Sequence, residues 1–170
     1  MLSKRRAVCI LALSSAAALS GCGFRLRGSN GEARIPFKTM YVGFAETSPL
    51  GNELKRYIRS SGDTRIVTDA KNAEAILQVL SETREKVVLA LDSNGRIREY
   101  TLYYKLSFRV TDPKGAQLLP ATLITLKRDI SFNESQIMAK EQEEALLYRD
   151  MQSDLVQQII RRLAALKPAA

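Results

Sequence analysis

The sequence predicts an α+β fold in which two helices pack on one face of an antiparallel or mixed four-stranded sheet. Three observations support this prediction. In the middle of the chain, apolar and polar residues alternate over long stretches that turn-forming residues separate, as in an antiparallel meander. One segment before the meander and one after it carry apolar residues at helical spacing. Each of these two segments has a single apolar face, which a sheet can cover.

The first strand is predicted over residues 38–44, and the first helix directly after it. Ser48 and Pro49 favour a helix start, because serine caps free backbone N–H groups and proline at the first helical position loses no needed hydrogen bond. Gly62 supplies a left-handed stop, and residues 65–67 form a short extended segment. The first strand is expected to direct three apolar side chains into the core, those of Met40, Val42 and Phe44. The helix has an apolar face of Leu50, Leu54, Tyr57 and Ile58.

The meander is predicted to have three long strands. The first covers residues 75–91, and the third covers about 118–130. The turns at residues 92–95 (DSNG) and 112–115 (DPKG) contain residues that favour tight turns. One parity of the first strand holds Leu77, Val79, Val87, Leu89 and Leu91. Three apolar residues of the other parity interrupt this alternation, namely Ile76, Leu80 and Val88. Part of this strand is therefore expected to be covered on both faces.

The second strand of the meander has the clearest alternation in the chain. Successive residues of a strand point to opposite faces of a sheet, so its two sets of side chains are separated. The apolar face, which is expected to enter the core, consists of Leu102, Tyr104, Leu106, Phe108 and Val110. The polar face, on the other side of the sheet, consists of Thr101, Tyr103, Lys105, Ser107 and Arg109.

The last helix is predicted to run from Ile137 to about Leu166. Asn133 and Gln136 resemble a capping box in front of it, and Pro168 follows its end. The pattern favours a helix lying on a sheet rather than a coiled coil. The apolar stripe at spacings of three and four consists of Tyr148, Met151, Leu155, Ile159, Leu163 and Leu166.

The first 21 residues are typical of a bacterial lipoprotein signal peptide. Basic residues 4–6 precede a short apolar segment, residues 7–19, and the motif Leu-Ser-Gly-Cys ends at Cys22. This lipobox predicts cleavage after Gly21, transfer of a diacylglycerol to the Cys22 thiol and acylation of the new amino group. An ordinary signal peptide with an incidental cysteine is the alternative. The apolar segment is too short for a membrane span, which needs about 20 residues.

Lipidation predicts where the protein works, because more than one acyl chain gives stable membrane attachment. Residues 22–37 are predicted to form a lipidated tether, and residues 38–170 a single globular domain. Gly23 follows the cysteine, whereas aspartate at that position resembles an inner-membrane retention signal. The sequence therefore favours the outer membrane, on its periplasmic side.

Charge favours an anionic partner. Loss of the three basic residues in the signal peptide lowers the formal net charge from +8 to +5. Nucleic acid is excluded by the compartment, whereas a lipid headgroup that bears phosphates fits it. Solubility alone also accounts for such a charge.

The residue types argue against an enzyme and against a bound metal or cofactor. The chain has no histidine, and its two cysteines are Cys9, in the segment to be removed, and Cys22. No thiol is left for a disulfide, and zinc sites and the usual catalytic triads lack their standard residues. Catalysis by carboxylates or lysine remains open, but no motif is arranged for it.

Three features of the chain from Cys22 onward point to a known family. They are the segment Cys22–Gly28 (CGFRLRG), the strand–helix–meander–helix order, and residues 148–155 (YRDMQSDL) followed by residues 158–163 (QIIRRL). Together they resemble the LPS-assembly lipoprotein LptE family. The resemblance implies an outer-membrane lipoprotein that binds the β-barrel LptD, sits largely in its lumen as a plug and helps to deliver lipopolysaccharide to the cell surface. It also implies lipopolysaccharide binding and assistance in barrel assembly.

Two basic clusters are candidate lipopolysaccharide sites, because arginine forks and lysine charges match phosphates and carboxylates. One cluster, predicted as a single patch on the first hairpin, contains Arg84, Lys86, Arg96 and Arg98. The other lies at the end of the third meander strand and contains Lys127 and Arg128. Each cluster is also compatible with an ordinary solvated face. The polar face of the second meander strand is a candidate contact with the barrel wall.

Two functions remain open from the sequence. The first is a plug and assembly factor of LptD that binds lipopolysaccharide. The second is a generic periplasmic lipoprotein adaptor of another envelope complex, without a glycolipid role. An enzyme is the least favoured of the three classes.

Overall fold

The computed structural model describes residues 34–60 and 63–167, and the structural statements below refer to them. The predicted signal peptide, the lipidation site at Cys22, the tether up to residue 33, the helix stop at Gly62 and Pro168 lie outside the described residues. Neither of the two described α-helices combines the length and the apolarity that a bilayer span requires.

A mixed sheet of five strands, in the order β2-β1-β3-β4-β5, forms the centre of the fold. The strands are β1 (Thr39–Gly43), β2 (Arg65–Ile66), β3 (Ala75–Leu91), β4 (Ile97–Thr111) and β5 (Gln117–Ser131). β1 runs parallel to β2 and β3, whereas β3, β4 and β5 form the antiparallel meander. The α+β prediction with a mixed sheet is confirmed. The predicted count of four strands is corrected to five, because the short extended segment pairs with Thr39 and Met40 of β1.

Two helices complete the fold, α1 (Pro49–Ser60) and α2 (Ile137–Ala164). The predicted start of α1 is confirmed, since Ser48 Oγ accepts a hydrogen bond from the Gly51 backbone at 3.1 Å. The predicted capping box before α2 is wrong. Asn133 instead accepts from the Ser135 backbone and caps a short 3-10 turn, and Gln136 makes no capping hydrogen bond through its side chain.

One core joins the sheet to both helices. The predicted apolar face of β4 is fully buried at all five positions. The predicted apolar stripe of α2 is buried at its four central positions, which are Met151, Leu155, Ile159 and Leu163. α1 contributes Leu50, Leu54 and Ile58. The periodicity of the sequence therefore identified the core-facing residues of these elements.

β3 contains a bulge that the sequence did not reveal. Val79 lies opposite Phe108 while Ser81 lies opposite Ser107, so Leu80 is an additional residue in this strand. The bulge exchanges the two faces of β3 from Ser81 to Val88, after which the register shifts again. Val87 therefore shares the outer face with Thr101, and the prediction that it lies on the same face as Leu77 and Val79 is wrong.

The expectation that part of β3 is covered on both faces holds only near its start. Ile76 is buried, whereas Leu80 is 48% exposed and Val88 is 46% exposed. After Leu77 the strand contains no buried residue up to its end at Leu91. The core thus lies toward the β1 and α1 side, and the far part of the β3–β4 hairpin is thinly packed.

Candidate functional site

The six predicted basic residues lie in four different surroundings. Arg84 and Lys86 line a groove between β3 and α2, which we call the helix groove. Arg96 and Arg98 line a second groove at the β3–β4 turn, which we call the tip groove. The remaining two lie on opposite faces of β5, and they are Lys127 and Arg128.

The helix groove owes its two cations to the bulge in β3. Beyond Leu80, Arg84 lies opposite Tyr104 and Lys86 lies opposite Leu102, both of which point toward α2. The groove has a volume of about 690 Å³. Its walls are of mixed charge, because α2 adds Glu141, Glu144 and Arg149.

Arg84 is held by its neighbours inside the helix groove. One terminal nitrogen of its guanidinium donates to the Tyr104 hydroxyl at 3.0 Å and to Gln152 Oε1 at 3.2 Å. The guanidinium carbon lies 4.5 Å from the Tyr104 ring centroid and 5.4 Å from that of Tyr148. Such stacked and hydrogen-bonded arginines stabilise packing, so this side chain has a structural role.

The contacts of Arg84 extend into a network that we call the helix–hairpin network. The Tyr104 hydroxyl donates to Glu82 Oε1 at 2.6 Å. Burial and this hydrogen bond to Glu82 raise the pKa of Tyr104 to about 12. On the other side, Gln152 Nε2 donates to Glu53 Oε2 at 2.5 Å. The network therefore connects β3, β4, α1 and α2.

Lys86 also has a partner in the helix groove. Its Nζ lies 2.6 Å from Glu144 Oε2 of α2 and 4.4 Å from the Tyr100 ring centroid. Both charges of the ion pair are partly exposed, so solvent screens their attraction. Glu144 thus neutralises Lys86 in this conformation.

The tip groove presents arginines without such partners. Within the described residues, neither Arg96 nor Arg98 forms a side-chain hydrogen bond or an ion pair, and both are exposed. The nearby carboxylate of Asp92 is engaged by the turn, since it accepts from the Asn94 and Arg96 backbone N–H groups at 2.8 and 2.9 Å. Gly95, with φ of 76°, supplies the left-handed turn residue.

The wall of the tip groove opposite the two arginines precedes α2. It consists of residues 132–135, and the Phe132 N–H donates to the Arg98 carbonyl at 2.6 Å. The groove has a volume of about 500 Å³. Two free guanidinium groups in one groove can bind the oxygens of a phosphate in a bidentate manner.

The four hairpin cations do not form the single patch that the sequence predicted. Lys86 lies opposite Leu102, which is four residues along β4 from Arg98. At about 3.3 Å per residue the separation is roughly 13 Å. Residues 84–86 pair with residues 102–104, within the range 98–104 that the turn at residues 92–95 predicts, but Arg96 and Arg98 lie closer to the turn.

Lys127 and Arg128 do not form one cluster either. Lys127 lies opposite Tyr103 on the outer face of the sheet, whereas Arg128 lies opposite Leu102 on the helix face. A terminal nitrogen of Arg128 donates to Asp154 Oδ2 of α2 at 2.6 Å. Adjacent residues of a strand point in opposite directions, which separates these two cations.

The outer face of the sheet carries the predicted polar side chains of β4, and many of them are paired with one another. Lys105 forms an ion pair of 2.8 Å with Glu85 and lies 5.3 Å from the Tyr103 ring centroid. Thr101 donates to Asp129 at 2.6 Å, and Arg109 donates to Gln78 at 2.7 Å. These polar side chains of β4 are therefore largely paired, whereas Val87 and Leu123 add exposed apolar surface to the same face.

The sequence did not reveal the acidic and amide partners of these cations. Glu144 and Gln152 are contributed by α2, and only the register of β3 shows that they meet Lys86 and Arg84. Glu53 of α1 joins them through Gln152. The sequence contains one signal for this network, which is a polar residue, Gln152, next to Met151 of the apolar stripe. In the structure Gln152 is buried. In the described ranges, no three histidine, cysteine, aspartate or glutamate side chains are placed to hold a metal ion.

Comparison with known proteins identifies related sequences over most of the chain. The model of the LptE family, described as lipopolysaccharide-assembly, matches residues 37–163. The LPS-assembly lipoprotein LptE of Pectobacterium atrosepticum is 28% identical over 148 residues, which cover 85% of this chain and 77% of that protein. The LptE of Yersinia enterocolitica is 24% identical over 150 residues, covering 88% of this chain and 72% of that protein.

Solved structures share the fold. The solution structure of lipoprotein B from Nitrosomonas europaea has a TM-score of 0.72 and 38% identity, and the match covers 84% of this chain and 91% of that one. The crystal structure of a minor lipoprotein from Acinetobacter baumannii has a TM-score of 0.63 and 25% identity, over 81% of this chain and 99% of that one. The family match extends over well more than half of the sequence, and the chain therefore belongs to the LptE family of lipopolysaccharide-assembly lipoproteins.

Proposed function

We propose that this protein is an outer-membrane lipoprotein, anchored through acylated Cys22 on the periplasmic side, that binds lipopolysaccharide and partners the β-barrel LptD. In this role it plugs the barrel, assists its assembly and supports delivery of lipopolysaccharide to the outer leaflet. Membership of the LptE family over residues 37–163 is the observation that carries the proposal. The role is non-catalytic.

The tip groove supports lipopolysaccharide binding. Lipopolysaccharide carries phosphates, and Arg96 and Arg98 are the two candidate cations that face one groove without forming an ion pair in the described part of the chain. Asp92 and Glu134 also line this groove. By contrast, Arg84, Lys86 and Arg128 are already engaged by side chains of the protein. We therefore place the primary phosphate contact at the tip groove, with Lys127 as an isolated cation on the outer face.

The outer face of the sheet supports the plug function. The lumen of a large outer-membrane barrel is polar, so a plug needs polar surfaces whose charges do not require bulk water. The Lys105–Glu85 ion pair and the Thr101–Asp129 hydrogen bond meet this requirement. Docking the region around these pairs against a polar wall avoids burying an unpaired charge, which is costly, whereas Lys127 on the same face needs an acidic partner on the wall or contact with solvent.

Purification of the full-length protein from outer membranes tests the proposal. A C-terminal affinity tag is used, and co-purified proteins and lipids are identified by mass spectrometry. Near-equimolar LptD together with lipopolysaccharide is expected. Recovery of a different envelope complex without lipopolysaccharide would instead favour the generic adaptor function.

A further inference from the structure

The two halves of α2 are packed differently. From Met151 onward the helix buries seven residues, six of them in the apolar core, whereas none of its residues before Met151 is buried. We call residues 137–146 the strap. Its large apolar side chains face solvent, with Met138 71% exposed, Leu146 56% exposed and Ile137 46% exposed.

Polar contacts hold the strap and its end on the sheet. Glu144 pairs with Lys86 of β3, and Lys140 donates to Ser131 Oγ of β5 at 2.9 Å. Directly after the strap, the Tyr148 hydroxyl donates to the Glu85 carbonyl at 2.9 Å. The first residues to pack against the core are the half-buried Leu147 and Tyr148.

Such attachment is weak compared with the packing of the second half. Exposed ion pairs contribute little to stability because solvent screens them. Segments with few buried apolar contacts open locally at much lower free energy than the core does. The strand beneath the strap is also thinly packed, since no residue of β3 after Leu77 is buried.

We propose that the strap opens as a unit while the rest of the protein stays folded, with Leu147 and Tyr148 as the pivot and the Lys86–Glu144 ion pair as the latch. Opening takes Glu141 and Glu144 away from the helix groove. Arg84 and Lys86 remain on β3, so the groove changes from mixed charge to positive charge. The strap thereby controls whether Lys86 is available to an anionic group.

Hydrogen exchange of the full-length protein, measured by mass spectrometry without lipopolysaccharide or LptD, tests this proposal. Once the strap has left the sheet, the free energy of keeping each of its residues helical is close to zero. The open strap therefore unfolds readily, and its amide hydrogens exchange with solvent. Amides of residues 141–146 are expected to exchange at least about 100-fold faster than those of residues 152–163. Amides of residues 141–146 should show one common protection, because they open together. Residues 137–140 are left out of this comparison, because the first four N–H groups of a helix have no intrahelical acceptor.

Variants of the latch identify its contribution. Lys86→Met should speed strap exchange by up to about fivefold, which is the range an exposed ion pair supports. Lys86→Arg keeps the charge and should leave the exchange rate unchanged. Arg34→Met is the matched control, because it removes the exposed Arg34–Asp63 ion pair elsewhere in the protein.

Three results would overturn the proposal. The first is equal protection of the strap and of residues 152–163. The second is protection that falls smoothly toward Ile137, which indicates ordinary fraying of a helix end. The third is a Lys86→Met variant that exchanges like the wild type or that accelerates exchange throughout the protein. Because no ligand or partner is added, these outcomes do not depend on the proposed function.

Discussion

Gln152 donates a hydrogen bond from its side-chain amide to Glu53 over 2.5 Å, and it thereby joins α2 to α1 across 99 positions of sequence. The carbonyl oxygen of the same amide accepts from Arg84 of β3. A buried glutamine that satisfies two charged neighbours is difficult to replace, because each neighbour would keep its charge and lose its partner. This relationship makes the helix–hairpin network a stability element.

Gln152→Ala is expected to lower the free energy of unfolding by about 1–3 kcal/mol, since it leaves Glu53 and Arg84 short of a hydrogen-bond partner. Urea denaturation followed by circular dichroism measures the change. Gln157→Ala, at an exposed position of the same helix, is the control, and it should lower the free energy of unfolding by much less. Equal stability of the two variants would contradict a structural role for the network.

The phenol of Tyr104 is expected to ionise later than the other tyrosines. Burial and the hydrogen bond to Glu82 raise its pKa from 10.0 to about 12. The stability that this shift contributes is complete below pH 10 and is lost as the pH rises through 12. In an ultraviolet absorbance titration, Tyr104→Phe should remove the last-ionising of the six tyrosines, and the stability difference between wild type and variant should shrink above pH 10. A Tyr104→Phe titration curve that keeps this late component would show that the assignment is wrong.

Gly51→Ala is expected to destabilise the protein by about 1–3 kcal/mol through overpacking. A methyl group at this position would overlap the Phe44 Cβ atom, so α1 would have to move away from the residue that follows β1. Thermal denaturation measures the effect, with Arg56→Ala on the exposed face of α1 as control. A Phe44→Gly background lacks this Cβ atom and should reduce the cost of Gly51→Ala, and equal costs in the two backgrounds would argue against the contact.

Reversal of the tip-groove charges is expected to weaken lipopolysaccharide binding. The double variant Arg96→Glu, Arg98→Glu should bind purified lipopolysaccharide at least about tenfold more weakly, because each charge-assisted hydrogen bond contributes about 1.5–3 kcal/mol. Wild-type binding should also weaken with added salt, since exposed charges are screened within about 8 Å at physiological ionic strength. Binding to LptD should persist if the barrel contacts lie elsewhere.

Lys114→Glu is the matched control for that measurement, because it reverses one exposed charge in the turn between β4 and β5, outside both candidate clusters. A folded double variant that binds lipopolysaccharide like the wild type would exclude the tip groove. Attention would then move to Lys127 and Arg128.

Cys22→Ala is expected to leave an unprocessed or soluble protein, because the lipobox predicts that this thiol carries the membrane anchor. Mass spectrometry of the protein from membrane and soluble fractions measures both processing and acylation. A mature wild-type protein with an unmodified Cys22 would disprove the prediction.

The parts of the fold that follow from local periodicity were predictable from the sequence. Over residues 101–110 of β4 apolar and polar residues alternate, and all five predicted core residues are fully buried. The same holds for the central stripe of α2, where a spacing of three and four places Met151, Leu155 and Ile159 on one face. Periodicity suffices here because each element meets a single core.

The composition of the candidate site could not be predicted, since it depends on the register between elements that are distant in sequence. Leu80 resembles a core residue in the sequence, yet it is the additional residue of the bulge and is 48% exposed. Its effect on the following residues decides that Arg84 and Lys86 meet Gln152 and Glu144 of α2. A pattern search along one strand has no access to such pairings.

The bulge at Leu80 also makes this strand sensitive to its own length. Removal of this single residue would restore continuous alternation, so Glu82, Arg84 and Lys86 would turn to the outer face and Val87 would turn toward α2. Tyr104 and Gln152 would then lose their contact with Arg84, although no residue in contact with them had been substituted. Single-residue insertions and deletions between Val79 and Ser81 should therefore be rarer among functional variants of this chain than point substitutions of Leu80 itself.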